Sequence, residues 1–264
     1  MIATYGHGTH NDFVLLFDAE DKIEISAEQV QRICNRSSGI GADGFIKIVK
    51  RDGKWFMDYR NNDGSLAEMC GNGIRVMGRY LVDRGYQNEG IVPIETRDGI
   101  KYLNVPKGAD ISVNMGGLEV LATNIEVECN GMKWESGYNV SVGNPHAVVF
   151  VEDVKDAGDL KSAPLVNTKS EYPDGVNVEF VEFMENGELK MRVHERGVGE
   201  TQSCGTGTCA VALAATLKSG KNLPSHWVIN PPGGRLVVDT DGHSNATLIG
   251  PAVLLKDVDV SSYL

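Results

Sequence analysis

Two cysteines each open a glycine-punctuated turn that runs into an apolar stretch. The first is Cys70, in Met69-Cys70-Gly71-Asn72-Gly73-Ile74-Arg75. The second is Cys204, in Ser203-Cys204-Gly205-Thr206-Gly207-Thr208-Cys209-Ala210. A thiol at a helix N-terminus has its thiolate stabilised by free backbone N–H groups and by the positive end of the helix dipole. Glycine directly after the sulfur lets a ligand approach the backbone closely and leaves the following N–H groups open to it. Two such thiols suit one task in particular: taking a proton from one face of a carbon and returning one to the other. Cys34, Cys129 and Cys209 instead fit the ordinary pattern of buried, inert thiols. There is no C-x2-C pair, and Cys209 falls inside the helix that follows Cys204, so no metal site is predicted.

The elements that must position these thiols repeat once along the chain. Aligning Cys70 with Cys204 places Asn61 opposite Glu195, and Gly41-Ala42-Asp43 opposite Gly175-Val176-Asn177. An alternating apolar run follows each of the latter. With a one-residue slip, Asn11-Asp12-Phe13 matches Asn144-Pro145-His146. A duplicated unit predicts two similar domains, with the join near Asp110–Leu118, where Gly116-Gly117 breaks the pattern. Within the first half, Ser26-Ala27-Glu28-Gln29 is a capping box, and Val30, Ile33 and Cys34 form an apolar helix stripe. Ile74, Met77 and Leu81 predict a helix after Cys70 that stops near Gly85. Ala210-Val211-Ala212-Leu213-Ala214-Ala215 is apolar all round, as a fully buried helix would be. The expected class is α+β: two halves, each a curved antiparallel sheet wrapped on a central helix.

Asn11, Asn61, Asn144 and Asn177 recur in register with the cysteines and are expected to line a pocket for a small polar molecule. Glu195-Arg196, just upstream of the second turn, would recognise an ammonium and a carboxylate. His146 is equally compatible with a core histidine and with a site residue. Gly39-Ile40-Gly41-Ala42-Asp43-Gly44 matches the G-x-G-x-x-G dinucleotide pattern, but a capped helix precedes it and a strand follows. That is the reverse of the order the motif needs. Neither cysteine loop carries the lysine step of a P-loop, so nucleotide binding is not expected.

Composition bounds the partners. The 264-residue chain is 41% hydrophobic and 23% charged, ordinary for a soluble globular protein. Its net charge of −11 opposes nucleic acid and anionic membranes by long-range repulsion. Five cysteines without paired spacing read as free thiols in a reducing cytoplasm. No secretory signal or membrane span is visible.

Taken together, several segments resemble diaminopimelate epimerase: Gly8-Thr9-His10-Asn11-Asp12-Phe13-Val14, Asn61-Asn62-Asp63-Gly64-Ser65, Gly143-Asn144-Pro145-His146, Val176-Asn177-Val178 and Glu195-Arg196-Gly197-Val198-Gly199-Glu200-Thr201, with both cysteine turns. They follow one another in family order over nearly the whole chain. The resemblance implies an epimerase independent of pyridoxal phosphate and of any other cofactor. It would interconvert LL- and meso-2,6-diaminopimelate for lysine and peptidoglycan precursor synthesis. It further implies Cys70 and Cys204 as the acid/base pair, with His146 and Glu195 tuning the thiols. Asn11, Asn61, Gly71, Asn72, Asn144, Asn177, Glu195, Arg196, Gly205 and Thr206 would contact the substrate. The final strand would return to the first domain, giving halves of residues 1–114 with 254–264 and 115–253, and a homodimer is expected. Gly44 stands where many members carry glutamine, and Thr9-His10 replaces a pair commonly apolar or glycine. Proline or hydroxyproline racemases share the two-thiol logic; a catalytically silent binding protein would need neither thiol.

Overall fold

A computed structural model of the chain describes residues 1–167 and 172–264. Two compact units divide it: Met1–Val113 with Gly250–Leu264, and Asn114–Ile249.

In the first unit β1 (Ile2–Gly8) and β2 (Asn11–Phe17) form a hairpin, and the other edge of β1 pairs with the C-terminal strand Val253–Asp259. Helix α1 (Ala27–Cys34) begins at the Ser26/Gln29 capping box and buries Val30, Ile33 and Cys34, as its stripe predicts. It carries the chain from β2 to β3 (Gly44–Arg51), which runs parallel to β2. Strand β4 (Lys54–Asn61) returns antiparallel, and α2 (Gly71–Asp83) leads to β5 (Gly90–Thr96), parallel to β4. The antiparallel strands β6 (Gly99–Val105) and β7 (Ile111–Gly117) follow. Strand β7 runs through Val113 and Asn114, where the units divide, and ends at Gly117.

In the second unit β8 (Glu119–Cys129), β9 (Met132–Ser141) and β10 (Pro145–Phe150) form an antiparallel meander, edged by the short β11 (Leu165–Val166) against β8. Strand β12 (Asn177–Phe183) lies parallel to β10 and antiparallel to β13 (Leu189–Glu195). The three-residue β14 (Gly199–Thr201) leads into α3 (Gly205–Lys218), after which β15 (Ser225–Asn230) lies parallel to β13. Strands β16 (Leu236–Thr240) and β17 (Asn245–Gly250) complete the unit. Among the described residues no helix is long and apolar enough to cross a membrane.

The class is α+β, but the sheets are mixed rather than antiparallel. Parallel neighbours need a crossover of a dozen or more residues, and α1, α2 and α3 each supply one. The same joints recur in both units: Phe13 opposes Gly44 as His146 opposes Asn177, and Trp55 opposes Ile94 as Leu189 opposes Ile229. Each unit wraps a central helix. In α2, Ile74, Val76, Met77 and Leu81 are wholly buried, and in α3 so are Ala210, Val211, Ala212, Ala214 and Ala215. Burying one Val or Leu is worth about 1.5–3 kcal/mol, whereas a good N-cap contributes about 1 kcal/mol. Packing therefore holds these helices, and their capping positions are free to carry cysteine, a poor cap.

Candidate active site

Cys70 is the N-cap of α2, in extended backbone geometry, and its Sγ accepts from Gly73 N at 3.5 Å. Its thiol donates to Asn11 Oδ1 (3.6 Å), which also accepts from Asn72 Nδ2 (3.3 Å). Asn11 Nδ2 in turn donates to Asp43 Oδ2 at 2.8 Å. One turn into the helix lies Arg75, with no exposed surface. Its guanidinium donates to Gly71 O (3.0 Å), Asn72 Oδ1 (3.1 Å) and Thr9 Oγ1 (3.3 Å). A cation is thus stitched to both residues that follow Cys70. The β1–β2 turn reaches this cluster through Thr9, and Thr9 and His10 both sit at positive φ (51° and 59°). Two such residues are what a type I′ hairpin demands. A β-branched residue is strained there, and Thr9 is tied down through its hydroxyl, which also donates to Asn72 Oδ1 (3.4 Å).

Asn61 ends β4, where Nδ2 donates to Ser65 Oγ (3.0 Å) and Oδ1 accepts from the Tyr59 hydroxyl (3.1 Å). Tyr59 explains Gly44: a Cβ there would lie 2.7 Å from the Tyr59 ring and 3.0 Å from Arg60 O. A phenol occupies the space a side chain at position 44 would take, and holds Asn61. Sequence reasoning missed Tyr59, whose only signal was the glycine on the paired strand.

Cys204 caps α3 in the same way, with Gly207 N donating to its Sγ at 3.4 Å. The surroundings differ. Thr206 Oγ1 lies 3.5 Å from the sulfur and accepts from Asn144 Nδ2 at 3.4 Å. Asn144 Oδ1 faces His146 Nε2 (3.0 Å), and His146 Nδ1 faces Glu179 Oε1 (2.7 Å), both of these last side chains wholly buried. Glu195 accepts from the Thr201 hydroxyl and shares a hydrogen bond with the Cys204 thiol. Asn177 serves the local frame: Nδ2 donates to Pro145 O (3.1 Å) and Oδ1 accepts from Arg196 N (2.9 Å), while the Arg196 side chain is exposed.

Burial pushes the Cys204 thiol well above its ordinary value, reinforced by the Glu195 and Glu179 carboxylates and opposed by the bonds from Thr206 and Gly207. Burial also raises Glu195, against its bonds to Thr201 and Cys204. The helix N-terminus, expected to lower the thiol, is outweighed here. Glu179 was read only as part of an alternating run; the buried partner of His146 is a residue that sequence reasoning did not single out.

In the first unit Asn11, Cys70, Gly71 and Asn72 therefore form one bonded cluster, with Asn61 in a separate turn. In the second, Asn144, His146, Glu195, Cys204 and Thr206 gather at the start of α3, with Asn177 and Arg196 joined beside them. Cavities of about 490 and 450 Å³ in the second unit are lined by residues such as Val154 and Met184, and Leu118 and Leu217, and by none of these. The capped thiols mark the site, not cavity volume.

The fold is shared with proteins of quite different sequence. A Bacillus anthracis phenazine biosynthesis protein of the PhzF family matches with TM-score 0.76 and 16% identity over 98% of both chains. A hydroxyproline epimerase from Agrobacterium vitis matches with TM-score 0.72 and 15% identity, over 98% of this chain and 91% of that one. Sequence relatives are far nearer. The diaminopimelate epimerase of Streptomyces coelicolor is 42% identical over 97% of this chain and 94% of its own length. That of Thermobifida fusca is 38% identical over 97% and 96%. The family model for diaminopimelate epimerase matches residues 3–121 and 138–255. With both cysteine turns inside those matched stretches, the chain belongs to the diaminopimelate epimerase family.

Proposed function

We propose that Cys70 and Cys204 are the acid/base pair with which this epimerase interconverts LL- and meso-2,6-diaminopimelate, in lysine and peptidoglycan precursor synthesis. The observation that supports this most directly is the doubled cap: in each unit a cysteine opens a buried helix, with its sulfur held by the N–H three residues on. The α-hydrogen of an amino acid is very weakly acidic, so carbanion-like charge must be met by preorganised donors. Removing one such donor in comparable sites costs about 3–4 kcal/mol. The N–H groups of Gly71 and Asn72, and of Gly205 and Thr206, are suited to the reacting carboxylate. One thiolate removes the proton, and the other thiol delivers one to the opposite face. The pair shares a single proton, and their titrations are coupled.

Cys204, among carboxylates, starts as the thiol, with Glu195 as the acceptor poised for its proton. His146 and Glu195 set how readily that proton leaves. Asn11, Asn61, Asn144, Asn177 and Arg196 orient the substrate, Arg196 with its exposed guanidinium pairing a carboxylate in the bidentate manner. The enzyme works without a cofactor as a cytoplasmic homodimer. Size-exclusion chromatography with light scattering tests the last point.

Proton NMR of LL-diaminopimelate with the enzyme in D2O tests the reaction. Loss of the α-proton signal with appearance of the meso isomer is expected, and neither should occur with Cys70→Ala or Cys204→Ala. Exchange with proline or hydroxyproline instead would move the chain to the racemases that share its fold.

A further inference from the structure

We propose that Glu179 is a positioning residue that sets the direction of a hydrogen-bond relay running through His146, Asn144 and Thr206 to the sulfur of Cys204. The inference rests on the reading of Cys204 as an acid/base group, and every member lies in the second unit.

The direction follows from which atoms can donate. A carboxylate only accepts, so at 2.7 Å from Glu179 Oε1 the His146 Nδ1 carries hydrogen. Asn144 Nδ2 is committed to Thr206 Oγ1 (3.4 Å), which leaves Oδ1 facing His146 Nε2 at 3.0 Å. An amide oxygen also only accepts, so Nε2 carries hydrogen as well. His146 is therefore an imidazolium paired with the Glu179 carboxylate. Thr206, already accepting from Asn144, has its own hydroxyl hydrogen left for Cys204 Sγ at 3.5 Å. Four links thus convert a buried carboxylate into an O–H donor aimed at the sulfur, and a donor to sulfur favours the thiolate.

Two further observations single out Glu179. Its Oε2 is buried with no hydrogen-bond partner among the described residues, a cost that packing alone does not justify. Position 207 is glycine where a Cβ would stand 2.5 Å from Glu179 Oε1, so the first turn of α3 is shaped around this carboxylate. The titratable groups around Cys204 are Glu195 from β13, Glu179 from β12 and His146 from β10. The Glu179 charge by itself raises the Cys204 thiol, as Glu195 does. Glu179 with a protonated His146 is neutral in sum, and so is glutamine with a neutral His146, so Glu179→Gln reads the relay rather than the charge.

Glu179→Gln keeps the shape and an acceptor for His146 Nδ1, but removes the negative charge that holds the second proton on the imidazole. His146 then becomes neutral and accepts at Nε2, the Asn144 amide turns over, and the Thr206 hydroxyl donates to Asn144 instead of sulfur. The test is the pH dependence of alkylation by iodoacetamide, with Cys204 and Cys70 resolved by peptide mass mapping. In Glu179→Gln the Cys204 profile should move up by about one pH unit, roughly tenfold slower at fixed pH, while Cys70 is unmoved. Thr206→Val should reproduce the shift, Thr206→Ser should restore the native profile, and Glu179→Gln with Thr206→Val should add nothing further. An unmoved Cys204 profile, or full additivity in the double variant, would overturn the relay. Should Glu179→Gln not fold, 15N NMR of His146 in the native enzyme decides: both ring nitrogens protonated is expected, and a neutral tautomer overturns it. Neither readout uses turnover, so loss of the relay and loss of the epimerase reading are separately visible.

Discussion

The two cysteine turns share a backbone and differ in everything electrostatic. Cys70 and Cys204 both cap a central helix from extended geometry and accept the same N–H, yet the networks behind them have opposite character. Behind Cys70 stands a wholly buried arginine, tied to Gly71, Asn72 and Thr9, and the thiol itself donates to a neutral amide. Behind Cys204 stand two carboxylates and a histidine, and burial pushes that thiol up. Carboxylates favour sulfur with its proton, and the second turn holds Cys204 as the thiol. Two copies of one scaffold supply the matched geometry, and the residues around each copy supply the difference.

The comparison breaks most decisively at the sulfurs. Cys70→Ala and Cys204→Ala should each lower kcat by about 10²–10⁴-fold, measured by polarimetry or by α-proton exchange; a variant retaining a tenth of native activity would remove its thiol from the chemistry. Next comes Arg75→Met, which removes the guanidinium that bonds Gly71 O, Asn72 Oδ1 and Thr9 Oγ1. At about 1.5–3 kcal/mol for a hydrogen bond to a charged group, a loss of roughly 3 kcal/mol or more in urea unfolding is expected. A loss below about 1 kcal/mol would show that the cation is not what holds the first turn.

The pH response comes third. Native Cys204 keeps its proton above the ordinary thiol value of about 8.5, so iodoacetamide should label it slowly at neutral pH and faster only in alkali. Above that value the unfolded chain gives up the proton while the native one retains it, so this group's stabilising contribution declines as pH rises. Melting temperature should fall less steeply with pH in Cys204→Ala; identical slopes would deny the shift. The smallest effect comes from the matched glycines. A Cβ at Gly73 meets the tips of Met57, Ile46 and Phe13 at 3.0–3.2 Å, side chains that can give, whereas at Gly207 it meets the Glu179 carboxylate. Both Ala variants should cost about 1–2 kcal/mol in stability, but only Gly207→Ala should also depress kcat.

The parts of this contrast that could be read in the sequence are the ones with local signatures. The Ser26/Gln29 box, the stripe of α1, the stop of α2 near Gly85 and the all-round apolar α3 each depend on near neighbours alone. The two caps were legible too, because glycine after cysteine is a local statement. Glu179 was not. In Val178-Glu179-Phe180 the alternation points to a half-exposed strand, but β12 lies between β10 and β13, and Asn177 through Val181 are all buried. Val178 and Phe180 enter a core cluster with Val127 and Val149, while Glu179 meets the first turn of α3. Strand direction was misread for a related reason: alternation is the same in parallel and antiparallel pairs, so the mixed sheets follow only from how the chain crosses between strands. Tyr59 and Arg75 stood in quoted or neighbouring segments, yet their burial depends on strands and turns far away in the chain.

The pairing of β1 with Val253–Asp259 has a consequence for how the molecule is made. Six register pairs join the two strands, and Val260 N donates to Met1 O. As the polypeptide leaves the ribosome, all strands of the second unit emerge before β1 meets its outer neighbour. One edge of the first unit therefore waits, with its main-chain groups open, through most of synthesis. An unpaired edge is a template for wrong partners, so this protein's exposure to aggregation is set by the speed of translation between β1 and Val253.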